Sequence, residues 1–198
     1  MLRIFVNNES LDFKTETEKN VGEVLGEVEK FCNQNGHTVY KVFVGEDELP
    51  LKNLDTLFAM PLNSDIELNL FTLSIESIKE TIGEIAKELQ EQAQALIEVG
   101  VKLQTNDDRF VLDLIAKISY NIQVLFEHLT LIQVLDTAAY KKLKTPDILE
   151  KQKTITEFLK DITTALEEKD IISVSDLSEY ELAPLLEALV KDLPDFTR

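Results

Sequence analysis

The stretch SDIELNLFTLSIESIKE, residues 64–80, changes its hydrophobic period in the middle, and this change decides the fold. In its first half, Leu68 and Leu70 alternate with polar residues, which is typical of a strand with one buried face. In its second half the apolar residues recur at helical spacing, as on one face of an α-helix. The change predicts a strand-rich part in residues 1–72 and a helical part in residues 73–198.

The strand-rich part is predicted to be a two-layer α+β arrangement of four short strands over one helix. Alternating residues predict the strands, and a stripe at helical spacing predicts the helix, which stops at Asn35 and Gly36. The helix stripe consists of Val21, Val24, Leu25, Val28 and either Phe31 or Cys32. The strand residues predicted to face it are Leu2, Ile4, Val6, Leu11, Phe13, Ile66, Leu68 and Leu70.

This part resembles the ubiquitin-like β-grasp family over about the first 71 residues. The resemblance lies in MLRIFVNN (1–8), in KVFVGEDELPLKNLDTLFAMPLNSDIELNL (41–70) and in the helix between them. It implies a small, rigid recognition module in which the first and last strands lie side by side. Modifiers of that family end in a free Gly-Gly tail, whereas this chain has no Gly-Gly and runs on into a helix. Conjugation to other proteins is therefore not implied.

The outer face of the predicted sheet carries aromatic residues. Phe5 and Phe71 alternate outward on the first and last strands, and Tyr40 or Phe43 joins them, since the phase of VYKVFV is open. A cluster of exposed aromatic side chains marks an interface. The interface is either an internal contact with the helical part or a binding site for a partner. The short TLS connector favours the internal contact.

The helical part is predicted to contain four amphipathic helices with short connections, which favours an antiparallel four-helix bundle. The first helix begins at a capping box, Ser77 to Glu80, or at the competing cap Ser74, and it ends at QTNDD. The later helices begin at cap residues: Asn106 or Asp107 for the second, Thr145 followed by Pro146 for the third, and Asp176 for the fourth.

Pro184 lies inside the fourth predicted helix, in SDLSEYELAPLLEALVKDL, residues 175–193. Proline cannot donate to the carbonyl of Tyr180, so we expect a kink, or else a break with a restart at Pro184. A freed carbonyl beside Glu179, Tyr180 and Glu181 is a candidate site for a partner or an ion. The alternative, which we favour, is a bent helix whose acidic residues stabilise its positive N-terminal end.

The formal net charge of -17, from 37 acidic and 20 basic residues, argues against several classes of partner. Nucleic acids and anionic membrane surfaces attract basic proteins. The most apolar window, residues 110–135, carries Asp113, Lys117 and Glu127, so we expect no membrane insertion. The N-terminus lacks a signal-peptide pattern, and a single cysteine fits a reducing cytosol, so a cytoplasmic location is predicted.

A basic cluster interrupts the acidic composition around the loop between the second and third predicted helices. Lysines near a negative helix C-terminus are typical of a solvated helix end, which is the interpretation we favour. The alternative is a contact for an acidic partner or for a second copy of the chain, so a homo-oligomer is left open. The cluster consists of Lys141, Lys142, Lys144, Lys151 and Lys153.

The sequence contains no catalytic, cofactor-binding or metal-binding motif. Glu127 adjoins His128, whereas a di-metal bundle carries Glu-x-x-His, so that kind of site is not predicted. We expect His128 to be partly buried, His37 to be exposed and Cys32 to be a buried, unreactive thiol.

These patterns favour a non-catalytic, cytoplasmic and bacterial interaction protein that acts as an adaptor or regulatory subunit. The second hypothesis is a chaperone that holds an amphipathic helix of a secreted or filament-forming client in a groove of the bundle. An enzyme built from unrecognised carboxylates is a distant third. The predicted partner is a protein, and no cofactor is expected.

Overall fold

The computed structural model describes residues 2–12, 18–48, 54–62, 65–135 and 145–193. The chain forms two compact units, Met1–Ile78 and Lys79–Arg198, whereas the hydrophobic period predicted a division between residues 72 and 73. Phe13, Lys141, Lys142 and Lys144, all of which enter the predictions above, lie outside the described residues.

The N-terminal unit is a mixed sheet with one long helix. Its strand order is β2-β1-β5-β3-β4, with β1 parallel to β5 and the other neighbours antiparallel. The first and last strands thus lie side by side, as the β-grasp resemblance implied. The prediction lacked β4 as a separate strand and the short helix α2. The elements are β1 (Arg3–Val6), β2 (Glu9–Ser10), α1 (Val21–Gln34), β3 (His37–Val44), β4 (Asp47–Glu48), α2 (Leu54–Phe58) and β5 (Glu67–Ser74).

The core of this unit lies between α1 and one face of the sheet. Ile4, Leu68 and Leu70 are fully buried, as the alternation predicted, and each such side chain contributes about 1.5–3 kcal/mol by leaving water. The predicted helix stripe is buried too, and its last member is Cys32, because Phe31 is 62% exposed. The other buried members of this core are Leu2, Val21, Val24, Leu25, Val28 and Leu57, and Val6, Leu11 and Ile66 are half-buried against it.

The start of α1 is held by its cap and by a close approach of α2. The side chain of Asn20 accepts a hydrogen bond from the backbone N–H of Glu23, which satisfies one free donor of the first turn. Gly22 lies against Phe58 of α2, where an added Cβ would be 2.7 Å from the Phe58 Cβ. A glycine is therefore required at this position for the two helices to approach.

The two glycines of α1 give a matched test of this contact. We expect Gly22→Ala to lower the free energy of unfolding by about 1–3 kcal/mol, because the new methyl group overpacks against Phe58. Gly26→Ala has open space around its Cβ and should instead raise it by about 0.5–1 kcal/mol through helix propensity. Urea unfolding of both variants measures the difference, and equal effects would show that α2 does not approach α1 this closely.

The described residues after β5 are mostly helical, which confirms the predicted α+β class. Lys151, near the start of α6, forms an ion pair of 2.6 Å with Asp192 at the end of α8, so these helices run antiparallel. Asn121 of α5 donates to Glu88 of α3 at 2.7 Å, so these two helices are close at that point. The described helices are α3 (Ile75–Leu96), α4 (Val99–Gln104), α5 (Asp108–Leu135), α6 (Thr145–Glu167), α7 (Ile171–Asp176), a π-helical segment (Leu177–Leu182) and α8 (Ala183–Asp192).

The helix starts agree only partly with the predicted caps. Ser74 caps α3 by accepting from the backbone N–H of Ser77, so the competing capping box at Ser77 is wrong. Asp107 caps α5 through the N–H of Phe110. The fourth predicted helix begins earlier than Asp176. Its cap is Asp170, whose pKa is lowered by hydrogen bonds from the hydroxyl and the N–H of Ser173.

The first predicted helix is broken at Ile97 and Glu98. The N–H groups of these two residues bond three residues back, to Gln94 and Ala95, instead of four. The turn separates α4 from α3, and α4 then packs against α7. Gly100 faces Ser175 there, where an added Cβ would lie 2.4 Å from the Ser175 Oγ.

A wide π-helical turn lies before Pro184, where the sequence predicted a kink or a break. The N–H of Ala183 bonds to the carbonyl of Ser178, five residues back, and the backbone stays helical through Leu182 and Ala183. In an α-helix the proline ring would clash with the carbonyl of Tyr180, four residues earlier, and the wider turn relieves that clash. The outright break is therefore wrong, and Pro184 lies in the first turn of α8.

Candidate functional site

The first candidate surface is the outer face of the sheet, on the side opposite α1. Because Leu68 and Leu70 of β5 are buried under α1, Asn69 and Phe71 point to the other side. Asn69 pairs with Phe5 of β1 and with Phe43 of β3, so both phenylalanines share this face. The structure therefore brings three of the four predicted aromatic residues together.

Phe43 and Phe71 form the centre of this face. Their ring centroids lie 5.4 Å apart at an interplanar angle of 73°, which is an edge-to-face contact. Such a pair contributes about 0.5–1.5 kcal/mol beyond the area that it buries. Phe5, Phe43 and Phe71 are each half-buried, so part of every ring remains open to contact.

Tyr40 lies at an irregularity of β3 beside this centre. The register between β3 and β5 shifts between Val39 and Lys41, which leaves Tyr40 as an extra residue in the strand. Its side chain is 39% exposed, and the Lys41 ammonium lies 5.9 Å from its ring centroid. Glu29 of α1 anchors the irregularity by accepting from the N–H of Val39 at 3.1 Å. The shift explains why alternation alone could not assign the phase of VYKVFV.

Polar groups surround the aromatic centre. Asn69 donates to Asn8 at 2.6 Å, and Asn8 belongs to a β1–β2 turn with positive φ, which asparagine tolerates. Two exposed ion pairs flank the face, Arg3 with Glu67 at 3.2 Å and Lys41 with Glu48 at 3.8 Å. An apolar centre with a polar rim is the usual anatomy of a protein–protein interface.

Phe5→Ala tests what covers this face. Because Phe5 is half-buried, we expect the free energy of unfolding to fall by about 1–2 kcal/mol, less than for a core phenylalanine. A loss of about 3 kcal/mol would indicate the internal contact that the short connector favoured. A loss no larger than the expected value of about 1–2 kcal/mol, together with weaker binding of a partner, would indicate a partner site. If neither stability nor binding changed, the face would cease to be a candidate.

The second candidate surface is the π-helical segment before Pro184. Tyr180 is 64% exposed, Glu181 is exposed and Glu179 is half-buried. Glu179 raises the pKa of Tyr180, first through a side-chain hydrogen bond and then through its negative charge. The hydroxyl of Ser178, in the same turn, is fully buried and has no partner among the residues that the structure describes. No group of three potential metal ligands occurs in the described ranges, so the ion-site hypothesis gains no support here.

Pro184→Ala tests this segment. We expect the variant to allow a regular, straighter helix, since alanine supplies the missing N–H and removes the ring clash, and to leave any partner binding largely intact. Circular dichroism follows the helix and its thermal midpoint, and partner binding is measured in parallel. Lost binding with an unchanged midpoint would establish the segment as a site.

A third surface, which the sequence did not reveal, is a groove between α5 and α6. Its volume is about 510 Å³. Leu149 of α6, which follows the buried Ile148 in the sequence, is 53% exposed on its wall. Two features of the sequence could have indicated this groove. They are Leu149 directly after the apolar Ile148, and the hydroxyl residues among the apolar residues of α5. The lining consists of Ser119, Ile122, Gln123, Phe126, Glu127 and Thr130 of α5 and Leu149, Gln152, Thr156 and Leu159 of α6.

A structural role accounts for the other residues that the sequence analysis considered as functional candidates. Cys32 is buried, and burial, followed by the nearby Glu29 carboxylate, raises the pKa of its thiol, which keeps it protonated and unreactive. His37 is exposed, and His128 is half-buried with its Nδ1 2.9 Å from the carbonyl of Val124. Of the predicted lysine cluster, Lys151 and Lys153 are described, and both form ion pairs within the unit.

Among the described helices, none combines the length and the apolar character that a membrane span requires.

Comparison with known proteins gives two family matches. The model "TP0873 N-terminal domain" matches residues 2–74, and "Domain of unknown function (DUF8042)" matches residues 80–192. An uncharacterized protein of Treponema pallidum (strain Nichols) is 34% identical over 192 residues, which cover 97% of this chain and 94% of the relative. This relative is bacterial, in agreement with the predicted source. Neither description names a ubiquitin-like family, so these matches give no support to that resemblance. No solved structure matches the chain.

Proposed function

We propose that this chain, which belongs to the family of the domain of unknown function DUF8042, is a non-catalytic interaction protein of the bacterial cytoplasm. In this proposal it acts as an adaptor or regulatory subunit, and its sheet face binds a protein partner. The observation that carries the proposal is the cluster of Phe5, Phe43 and Phe71 with Tyr40 at its edge.

The chemistry of the sheet face supports a protein as the ligand. Aromatic rings supply large apolar contact area at a small cost in side-chain entropy, so they are enriched in the centres of interfaces. The hydroxyl of Tyr40 and the amide of Asn69 add hydrogen-bonding groups beside the rings. A small metabolite is bound in a concave pocket, whereas this surface is one face of a sheet.

The charge of the chain narrows the class of partner. A net charge of -17 repels nucleic acids and anionic lipids, and it attracts proteins with basic surfaces. On the sheet face itself, Arg3 and Lys41 are paired with Glu67 and Glu48, so this face is close to neutral. A partner that docks there would be apolar at its centre, and the acidic charge elsewhere would govern the rate of encounter.

An affinity experiment with two matched exposed aromatic residues tests the proposal. The tagged full chain, Tyr40→Glu and Phe31→Glu are recovered from the native host, and co-purified proteins are quantified by mass spectrometry. Phe31 is the control, because it is an exposed aromatic residue of the same unit on α1, away from the outer sheet face. We expect Tyr40→Glu to lose a partner that Phe31→Glu retains, by about tenfold, since a buried charge opposes docking. Equal recovery with all three proteins would refute the sheet-face proposal.

A second candidate function is that of a chaperone for a secreted or filament-forming client. The observation that favours it is the α5–α6 groove, because a groove between two helices can hold an amphipathic helix. The same purification separates the two functions. One stoichiometric partner whose amphipathic terminus is required would support the chaperone, and several proteins of one complex would support the adaptor.

A further inference from the structure

We propose that the α5–α6 groove binds a single amphipathic helix of a partner protein, about three turns long, with a basic residue placed against Glu127. The proposal rests on the second candidate function above and adds the length, polarity and anchoring residues of the bound segment. Four observations on the groove carry it: its apolar walls, the satisfied state of its hydroxyl groups, one carboxylate that has no cationic partner among the described residues, and its length.

The apolar side chains of the groove supply the surface for a partner. Phe126 and Leu159 are buried and form part of its lining, whereas Leu149 is 53% exposed on the wall. Covering a half-exposed apolar side chain of this kind is favourable, because it removes apolar surface from water.

The hydroxyl groups of the lining do not oppose an apolar partner. Ser119 donates to the carbonyl of Ile115 at 2.8 Å, and Thr130 donates to the carbonyl of Phe126 at 2.9 Å. Thr156 likewise donates within α6, at 2.9 Å. Each of these hydroxyl hydrogens is already used inside its own helix, so covering the three residues leaves no hydroxyl donor unsatisfied. These residues then present mainly their carbon atoms to a partner.

Glu127 gives the groove its charge preference. Among the described residues it is the one charged side chain of the lining, and its carboxylate accepts from the Gln123 amide at 2.9 Å. Among the described ranges of the chain, no lysine or arginine lies within ion-pair distance of it. An apolar helix laid over this carboxylate would desolvate it unless the helix also supplied a cation. An arginine can pair with the carboxylate at two atoms, so a basic residue at the centre of the helix satisfies it.

The length of the groove determines the length of the bound helix. Its lining spans residues 119–130 of α5 and residues 149–159 of α6, which at a rise of about 1.5 Å per residue is roughly 15 Å. A helix of roughly ten to twelve residues covers that distance, and its apolar residues fall at i, i+3 or i+4, and i+7.

A designed peptide tests the groove in the full chain. The probe is an alanine-rich peptide of about 14 residues with leucines at i, i+3, i+4 and i+7 and one arginine on the border of the leucine stripe. We expect binding that Leu149→Glu weakens by about tenfold or more, since it places a charge on the apolar wall. Leu112→Glu is the matched control, because Leu112 is 56% exposed on α5 and outside the lining, and it should change the dissociation constant by less than about twofold.

The charge preference is tested by a double-mutant cycle. Glu127→Gln should weaken binding of the arginine peptide by about fivefold and leave a glutamine version of the peptide unaffected, whereas Glu84→Gln on α3 should affect neither. Equal effects of Glu127→Gln on both peptides would refute the basic residue in the proposal.

Three further results would overturn the groove as a helix site for a partner. The first is no binding up to about 1 mM peptide. The second is equal weakening by Leu149→Glu and Leu112→Glu, which would place the peptide elsewhere. The third is a dimer in sedimentation equilibrium that Leu149→Glu dissociates, which would make a second copy the occupant. Tyr40→Glu should leave peptide binding unchanged, so failure of the groove and failure of the sheet-face proposal are separate results.

Discussion

The N-terminal unit depends on the pairing of the central strand β5 with strands on both of its sides. Its parallel partner β1 and its antiparallel partner β3 satisfy its backbone groups, so its two faces are free to serve different purposes. Leu68 and Leu70 bury one face under α1, and Asn69 and Phe71 present the other. Because side chains alternate strictly along a strand, a slip of one residue would exchange these faces. The register of β5 therefore determines both the core and the candidate surface.

In the helical unit, local changes in helix geometry keep apolar residues buried. In the last helix the buried residues Val174, Ser178, Leu182 and Leu186 are spaced by four, a longer repeat than an α-helix provides. The π-helical turn accommodates that repeat, and it also relieves the clash of the Pro184 ring. The buried hydroxyl of Ser178 accompanies this arrangement, since the wide turn directs it into the core. After the break between α3 and α4, Gly100 allows α4 to approach Ser175 closely.

The two proposed interaction surfaces differ in chemistry, which suits them to different ligands. The sheet face has aromatic rings and balanced ion pairs, so it favours an apolar surface without a strong charge requirement. The α5–α6 groove has apolar residues in its walls and one carboxylate that has no cationic partner in the described part of the chain, so it favours an elongated ligand with a cation. The acidic charge of the whole chain acts on both, because long-range electrostatics steers encounter more than it stabilises the bound state.

The sequence by itself determined the elements whose burial follows a regular period. Alternation identified Leu68 and Leu70 as inward and Phe5 and Phe71 as outward, and helical spacing identified Val21 to Val28 as the core stripe of α1, because these patterns depend on backbone geometry alone. Only the tertiary structure decided features that arise where two elements meet. The register shift at Tyr40 lies beside a hydrogen bond to Glu29 of α1, Gly100 of α4 lies close to Ser175 of α7, and the groove lies between α5 and α6. Such contacts join residues distant in sequence, and local propensity carries no information about them.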